Sequence, residues 1–454
     1  MHSADHSPST PPLSPLHPTL GQAFWVWVKI GLLSFGGPTG QIGLMHRELV
    51  ERRRWVSDGR FLHALNYCML LPGPEAQQLA IYTGWLLHRV WGGVLAGVLF
   101  VLPGALLMGL IAAIYVLYGT VPVVEALFYG LKPAVMAIVA TAVLRIGKKA
   151  LKNAVMWSIS AAAFLAIFFL ELPFPLIVIG ALLIGWAGGR FYPETFDITG
   201  GHQGKTLDHK AAEMEAFAVG DAFSETIGRP TWGRAARTAA VWTLVWMVPL
   251  LLVWGLLGSG HVLTREGLFF SKASLVTFGG AYAVLPYVAQ QAVETHGWLS
   301  ATQMMDGLGL AETTPGPLIL VLQFVGFLGG WHEAGQNSPL LMATLAALMT
   351  SWVTFVPGFL FIFVGAPFVE HSRGNLRLNT ALSAVTAAVV GVVLNLAVWF
   401  GWHVIVPEPG AWDLFPLFAG LAFFIAIQRF KWDVLWVIGA GAVLGLLTLM
   451  PTPW

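Results

Sequence analysis

Long apolar runs fill this chain, and glycine and proline break them at regular places. Apolar segments lie at about 22–36, 60–88, 90–118, 120–144, 154–170 and 172–189, then at 236–258. A second set follows near 266–294, 299–330, 339–364, 375–403, 412–428 and 432–450. Between the two sets, residues 190–234 are polar and hold His202, Gln203, Lys205, Asp208, Lys210, Glu213 and Glu215. An unbroken run of about 20 apolar residues is what a helix needs to cross ~30 Å of hydrocarbon. Pieces such as 24–35 are too short for that, so the breaks carry structural information.

The breaks come in pairs. Ser34-Phe35-Gly36-Gly37-Pro38-Thr39-Gly40 is echoed by Thr277-Phe278-Gly279-Gly280-Ala281, and Leu71-Pro72-Gly73-Pro74-Glu75 by Thr314-Pro315-Gly316-Pro317-Leu318. Gly36 and Gly279 stand 243 residues apart, and so do Pro72 and Pro315, Lys29 and Lys272, Trp55 and Trp298, and Ser57 and Ser300. A constant offset over that many positions is an internal duplication. The predicted organisation is a disordered tail over 1–21, a first repeat over 22–189, and a cytoplasmic linker over 190–235 with room for a short amphipathic helix. A connecting transmembrane helix over 236–260 and a second repeat over 261–454 complete it.

Composition fixes the class. Of 454 residues, 56% are hydrophobic and 10% charged, where a soluble chain carries about 25% charged. This is an all-α integral membrane protein, because the long runs read as helices and not as a barrel. A net charge of +1 gives no sign of a nucleic-acid partner, and the single Cys68 excludes an intrachain disulfide and a multi-cysteine metal site. The composition points to no cofactor, and the histidines His2, His6 and His17 belong to the tail. The tail has neither a basic start nor a small-residue cleavage site, so it does not read as a secretory signal.

Charge then sets the topology. If each broken segment is a re-entrant hairpin and the other nine segments each cross once, 20 of the 24 basic residues fall on one face. Cytoplasmic loops collect Lys and Arg, so the N-terminus is expected inside and the C-terminus outside. Each repeat then makes four crossings and the connecting segment adds one. The second repeat therefore enters from the opposite face, and the two repeats are inverted. Inverted repeats with broken helices are a transporter architecture, with the site near the midplane.

The breaks also carry the candidate chemistry. A helix that starts inside the membrane leaves its first N–H groups unpaired and presents about half a positive charge. Pro38 and Pro74 stand where proline wastes no donor. Four such starts can converge on one anion, with Thr39, Gln41, Gln77, Gln78, Thr277, Thr313 and Thr314 as neutral donors. The competing reading is that glycine and proline only kink tightly packed helices. Lys29 and Lys272, each seven residues before its glycine pair, either serve the anion or snorkel to an interface. Lys132 lies mid-segment beside Pro133 and calls for a partner such as Glu125. Glu75 and Glu312 are not repeat equivalents; each either carries a coupled proton or counters a helix start. Glu312 is the favoured proton site, because Thr313 and Thr314 could relay to the anion. The run Arg47, Arg52, Arg53 and Arg54 reads as a positive-inside anchor or as steering for anions.

These motifs resemble those of the chromate ion transporter family in its long, two-domain form. The resemblance rests on Phe35-Gly36-Gly37-Pro38, on Leu71-Pro72-Gly73-Pro74-Glu75 followed by Gln78-Leu79-Ala80, and on Ala311-Glu312-Thr313-Thr314-Pro315-Gly316-Pro317. It covers both repeats. It implies efflux of chromate across a bacterial inner membrane, with sulfate as a competitor. The helix starts and their neighbours place the expected anion site at Lys29, Phe35–Thr39, Gln41, Pro72–Pro74, Gln78, Lys272, Thr277, Gly279, Gly280 and Thr313–Pro317. A homodimer in the bilayer is the assembly allowed for. Two alternatives remain: a sulfate or other oxyanion importer, and a membrane enzyme acting on a lipid phosphate. Ala281 in place of Pro38 and Leu318 in place of Glu75 imply that the halves do not bind the anion equivalently.

Overall fold

The computed structural model describes residues 17–35, 37–196, 217–219, 231–278, 280–371, 377–407 and 410–449. Gly36, Gly279, most of the tail and linker, and the last five residues therefore lie outside the described residues. What is described is helical, apart from a single bridge between Val56 and Val219.

Helix α1 (Leu20–Leu33) opens with a capping box. The Thr19 hydroxyl accepts from the Gln22 N–H at 3.2 Å, and the Gln22 side chain accepts from the Thr19 N–H at 2.9 Å. After the glycine break α2 (Gly37–His46) runs into a π-helical turn, Arg47–Arg52. The returning chain lies alongside α1, where Lys29 meets Glu48 at 2.8 Å. Helix α3 (Asp58–Cys68) leads to the Pro-Gly-Pro break, and α4 (Glu75–Tyr118) follows it.

α4 is two helices joined at a sharp turn. His88 and Arg89 leave helical geometry, Arg89 with φ at 55°. A straight helix would hold Gly84 and Gly92 about 12 Å apart at 1.5 Å per residue. Instead a Cβ on Gly84 would collide with the Gly92 carbonyl, and one on Gly97 would lie 2.5 Å from the Ile81 side chain. The first arm, 75–87, thus comes back from the break, and the second arm, 90–118, sets out again. His88 Nε2 donates to the Pro18 carbonyl at 2.7 Å, so the arm returns to the end from which α1 started. Both broken segments of the first repeat fold back on themselves as hairpins.

α5 (Pro122–Ala150), α6 (Ala154–Phe168) and α7 (Phe174–Phe191) complete the first repeat, with a one-turn α8 (Pro193–Phe196) after it. The connecting helix α9 runs Trp232–Leu257. The second repeat then replays the first: α10 (Val262–Val276), α11 (Ala281–Gln290), a π turn Gln291–Thr295 and α12 (Ala301–Thr313). A 3₁₀ turn, Leu318–Leu320, leads into α13 (Val321–His332), and then come α14 (Pro339–His371), α15 (Arg377–Ile405), α16 (Leu414–Phe430) and α17 (Val434–Leu447). The duplication reaches even the π turns, whose starts, Arg47 and Gln291, fall within one residue of the 243-residue offset. Among the described residues 6 helices are long and apolar enough to cross a bilayer, namely α4, α5, α7, α9, α14 and α15. With the shorter α6, α16 and α17 they account for the nine segments read as single crossings.

The repeats are locked together by exchange. α5 of the first repeat packs on α16 and α17 of the second, and its counterpart α15 packs on α6 and α7 of the first. Lipid tails are as apolar as leucine, so close backbone approach through small residues supplies the attraction. A Cβ on Gly130 would stand 2.5 Å from the Gly445 nitrogen, and one on Gly185 2.7 Å from Ala381 Cα.

Candidate functional site

The site is built where the helices stop. α1 and α10 end at Ser34 and Thr277, whose hydroxyls turn back and donate to the Ile30 and Ala273 carbonyls, each at 2.6 Å. These hydroxyls satisfy carbonyls that a helix end leaves without partners. Beyond them Gly37 (φ 69°) and Gly280 (φ 96°) start α2 and α11 in the left-handed region. Gly73 (φ 115°) and Gly316 (φ 96°) occupy the same region inside the two Pro-Gly-Pro breaks. A side chain is costly there, which is why the four positions are glycine.

The breaks of one repeat bond to those of the other. Gly73 N–H donates to the Thr277 carbonyl at 2.7 Å, and Gly316 N–H donates to the Ser34 carbonyl at 2.9 Å. All four breaks thereby meet around a cavity of about 10 Å³, lined by Pro38 and Gln41, by Pro74 and Glu75, by Ala281, and by Pro317. That volume is roughly one water, so the conformation described is closed around its centre.

The helix starts at this cavity are bare. Neither Pro74, Pro317 nor Gly280 makes a side-chain cap, whereas Ser57 and Ser300 cap α3 and α12 at their outer ends. Uncapped first turns keep their N–H groups and partial positive charge for something else. The neutral side chains are occupied differently from what their residue types suggest. Thr313 and Thr314 donate to the Leu310 and Ala311 carbonyls of their own helix, and Thr39 is exposed. The amide groups of Gln41, Gln77 and Gln78 donate to the carbonyls of Gly316 (2.6 Å), Phe355 (3.3 Å) and Pro72 (2.7 Å). With the amide groups spent, the donors that uncapped first turns supply are backbone N–H groups, and the buried oxygens Gln41 Oε1, Gln77 Oε1 and Gln78 Oε1 have no partner among the described residues.

The charged candidates separate. Glu75 lines the cavity, 3.7 Å from where a Cβ on Gly280 would sit. Glu312 is buried and accepts the hydroxyl of Tyr282, next in sequence to the cavity residue Ala281. Because Thr313 and Thr314 point their protons at their own backbone, they offer Glu312 no relay. Lys29 is held by Glu48, and Lys272 is exposed. Glu48 also takes Arg52 and Arg53, each at 2.6 Å. It sits outside the six spanning helices; burial pushes its carboxyl up, but Lys29, Arg53 and Arg52 outweigh that and hold it below the ordinary range. Lys132 does not pair with Glu125, two turns back on α5. It lies over the Tyr129 ring, 5.8 Å from its centre and less than one turn away.

Several polar groups escaped the sequence reading. Arg60 and Glu370 form an ion pair at 2.8 Å with both side chains buried, and the Tyr82 hydroxyl donates to the same carboxylate at 2.7 Å. The Tyr115 hydroxyl donates to buried Asp306 at 2.8 Å. Glu266 is fully buried, near the Thr350 hydroxyl. For Asp306 and Glu266 the available signal was a carboxylate inside an apolar segment, an expensive placement; Glu370 lies between segments and gave none.

A family model described as "Chromate transporter" matches residues 21–186 and 266–446. The chain is similar to a chromate transport protein of Cupriavidus metallidurans, with 29% identity over 94% of this chain and 93% of that one. It is similar also to a chromate transport protein of Pseudomonas aeruginosa, with 31% identity over 94% and 92%. No solved structure matches it.

Proposed function

From the premise that the chain belongs to the chromate transporter family, a family of membrane transporters and not of enzymes, we propose that it exports chromate across the bacterial inner membrane. The anion sits where the four helix starts meet. The observation that carries this reading is the convergence of breaks from both repeats, left without side-chain caps, on one cavity. Chromate is a tetrahedral dianion, and uncapped helix starts suit such a group. Moving two negative charges out of a negative-inside cell is favoured by ~4.6 kcal/mol per 100 mV, at ~2.3 per charge. Export therefore has a driving force without proton exchange. Sulfate shares charge and shape with chromate and competes at the same place.

The repeats are inverted in this proposal, with the N-terminus inside and the C-terminus outside. The reciprocal bonds Gly73–Thr277 and Gly316–Ser34, and the reciprocal packing of α5 and α15, support the inversion. The anion enters when the two breaks part, because a cavity of about 10 Å³ admits no oxyanion. Among the described residues that line the cavity Glu75 is the carboxylate, and an ionised Glu75 repels a bound dianion. A coupled proton belongs on Glu75 in preference to Glu312. The deciding experiment is chromate uptake into everted vesicles, with sulfate as competitor and with voltage and pH gradients collapsed separately. Flux insensitive to voltage, or uptake only into right-side-out vesicles, would overturn export as stated.

A further inference from the structure

A second, larger cavity lies away from the helix starts. It measures about 500 Å³ and opens between the end of α6, the start of α7, the last turns of α11 with its π turn, and the end of α15. Small-molecule sites occupy roughly 300–1,000 Å³. Aromatic rings supply much of the wall, among them Phe168, Tyr287, Trp399 and Trp402. The charged side chains of the lining are Glu171 and Glu294, and the lining contains neither lysine nor arginine. Glu294 is positioned: the Trp399 indole N–H donates to its Oε1 at 3.0 Å, which leaves the other oxygen free. The side chains of Glu171, Gln290 and Asn395 make no hydrogen bond or ion pair with any other described residue. His403 spends its Nδ1 on the Trp399 carbonyl at 2.9 Å.

We propose that this cavity binds a hydrophobic organic monocation. Ring faces attract cations and apolar bodies alike, and two carboxylates without a basic neighbour select the sign of the charge. The same carboxylates exclude the oxyanion, since like charges brought together are costly and no cation offsets them here. They disfavour an anionic phospholipid headgroup for the same reason. A neutral apolar molecule fits poorly, because it leaves the polar side chains without partners. Phe168 and Trp402 are 47% and 60% exposed at helix ends, where aromatic side chains mark the membrane interface, so a lipid-soluble cation has a path in. The proposal stands apart from oxyanion transport, and its failure leaves that reading untouched.

The test compares two ions of the same size and opposite charge. Tetraphenylphosphonium and tetraphenylborate are titrated by equilibrium dialysis against the purified full-length protein in detergent. One saturable site for the phosphonium ion is expected, with the borate ion bound at least about tenfold more weakly. Glu294→Gln and Glu171→Gln should each weaken phosphonium binding by about two- to fivefold, while gel filtration and chromate flux stay as in the parent. Trp399→Phe keeps a ring but frees Glu294, and should weaken binding less than Glu294→Gln. Equal binding of both ions, or phosphonium affinity unchanged in both glutamine variants, overturns the proposal. So does a stoichiometric phospholipid that neither ion displaces.

Discussion

The Gly73 amide donates to the Thr277 carbonyl at 2.7 Å, joining the Pro-Gly-Pro break of one repeat to the glycine break of the other. Its counterpart, Gly316 to Ser34 at 2.9 Å, repeats the bond with the roles of the halves exchanged. Two such bonds, related by the duplication, hold the centre shut, and any opening of that centre has to lengthen them.

Alanine at Gly37 and at Gly280 tests the breaks themselves. A Cβ at Gly37 meets nothing within 4 Å, and at Gly280 only Glu75 Oε1 at 3.7 Å, so the cost is conformational and not steric. A residue with a Cβ in the left-handed region costs roughly 1–2 kcal/mol. Each variant should reach the membrane but lose most chromate flux, while Gly43→Ala, which has open space and no positive φ, should transport normally. Full flux through both break variants would return the glycines to helix kinking.

Glu75→Gln and Glu312→Gln separate the two proton assignments. With Glu75 at the centre and Glu312 tied to Tyr282, the Glu75 variant should still bind the anion but lose the dependence of flux on the pH gradient. The Glu312 variant should keep that dependence. The reverse pattern, measured in everted vesicles with a pH-sensitive dye, would move the proton to Glu312.

Glu370→Gln should damage folding more than transport chemistry. It removes the buried carboxylate charge that faces Arg60 at 2.8 Å, and breaking a buried ion pair costs about 3–5 kcal/mol. Detergent-solubilised protein should aggregate or melt earlier, and the double variant Arg60→Met with Glu370→Leu should recover much of the loss. A single variant as stable as the parent would contradict a structural role for the pair.

Topology is testable by labelling. Cys68 is buried and should stay silent to a membrane-impermeant maleimide. Cysteine at exposed Lys148 should label only from the cytoplasmic side, and at exposed Asn337 only from the outside. Labelling of both from one side rules out the inverted arrangement.

What the sequence made legible was its repetition. The 243-residue offset located α1–α3 and α10–α12 and placed the breaks at hairpin tips, because glycine and proline act locally and leave a mark in the order of residues. The turn at His88–Arg89 was visible as the gap between two apolar runs. Partnerships across space were not. Glu48 looks like one more charge in a basic run, yet it is the buried hub that takes Lys29, Arg52 and Arg53. Nothing in the spacing pairs Arg60 with Glu370, some three hundred positions away. Thr313 and Thr314 read as donors by type, and only geometry shows their protons turned to their own helix. The cavity at the end of α6 combines residues from both repeats, so neither repeat alone spells it out.

The exchange of helices between the halves has a consequence for how the chain is made. α5 ends at Ala150, and the helices it packs on begin at Leu414 and Val434. At ~5–20 residues per second of synthesis, roughly 10–60 s pass between the emergence of α5 and of its partners. Through that interval the Gly130 face, shaped for the backbone of α17, meets lipid or an insertion factor instead. Maturation of the first repeat waits on the last helices translated, so a ribosome stalled near residue 400 leaves a product already in the membrane but without its clasp.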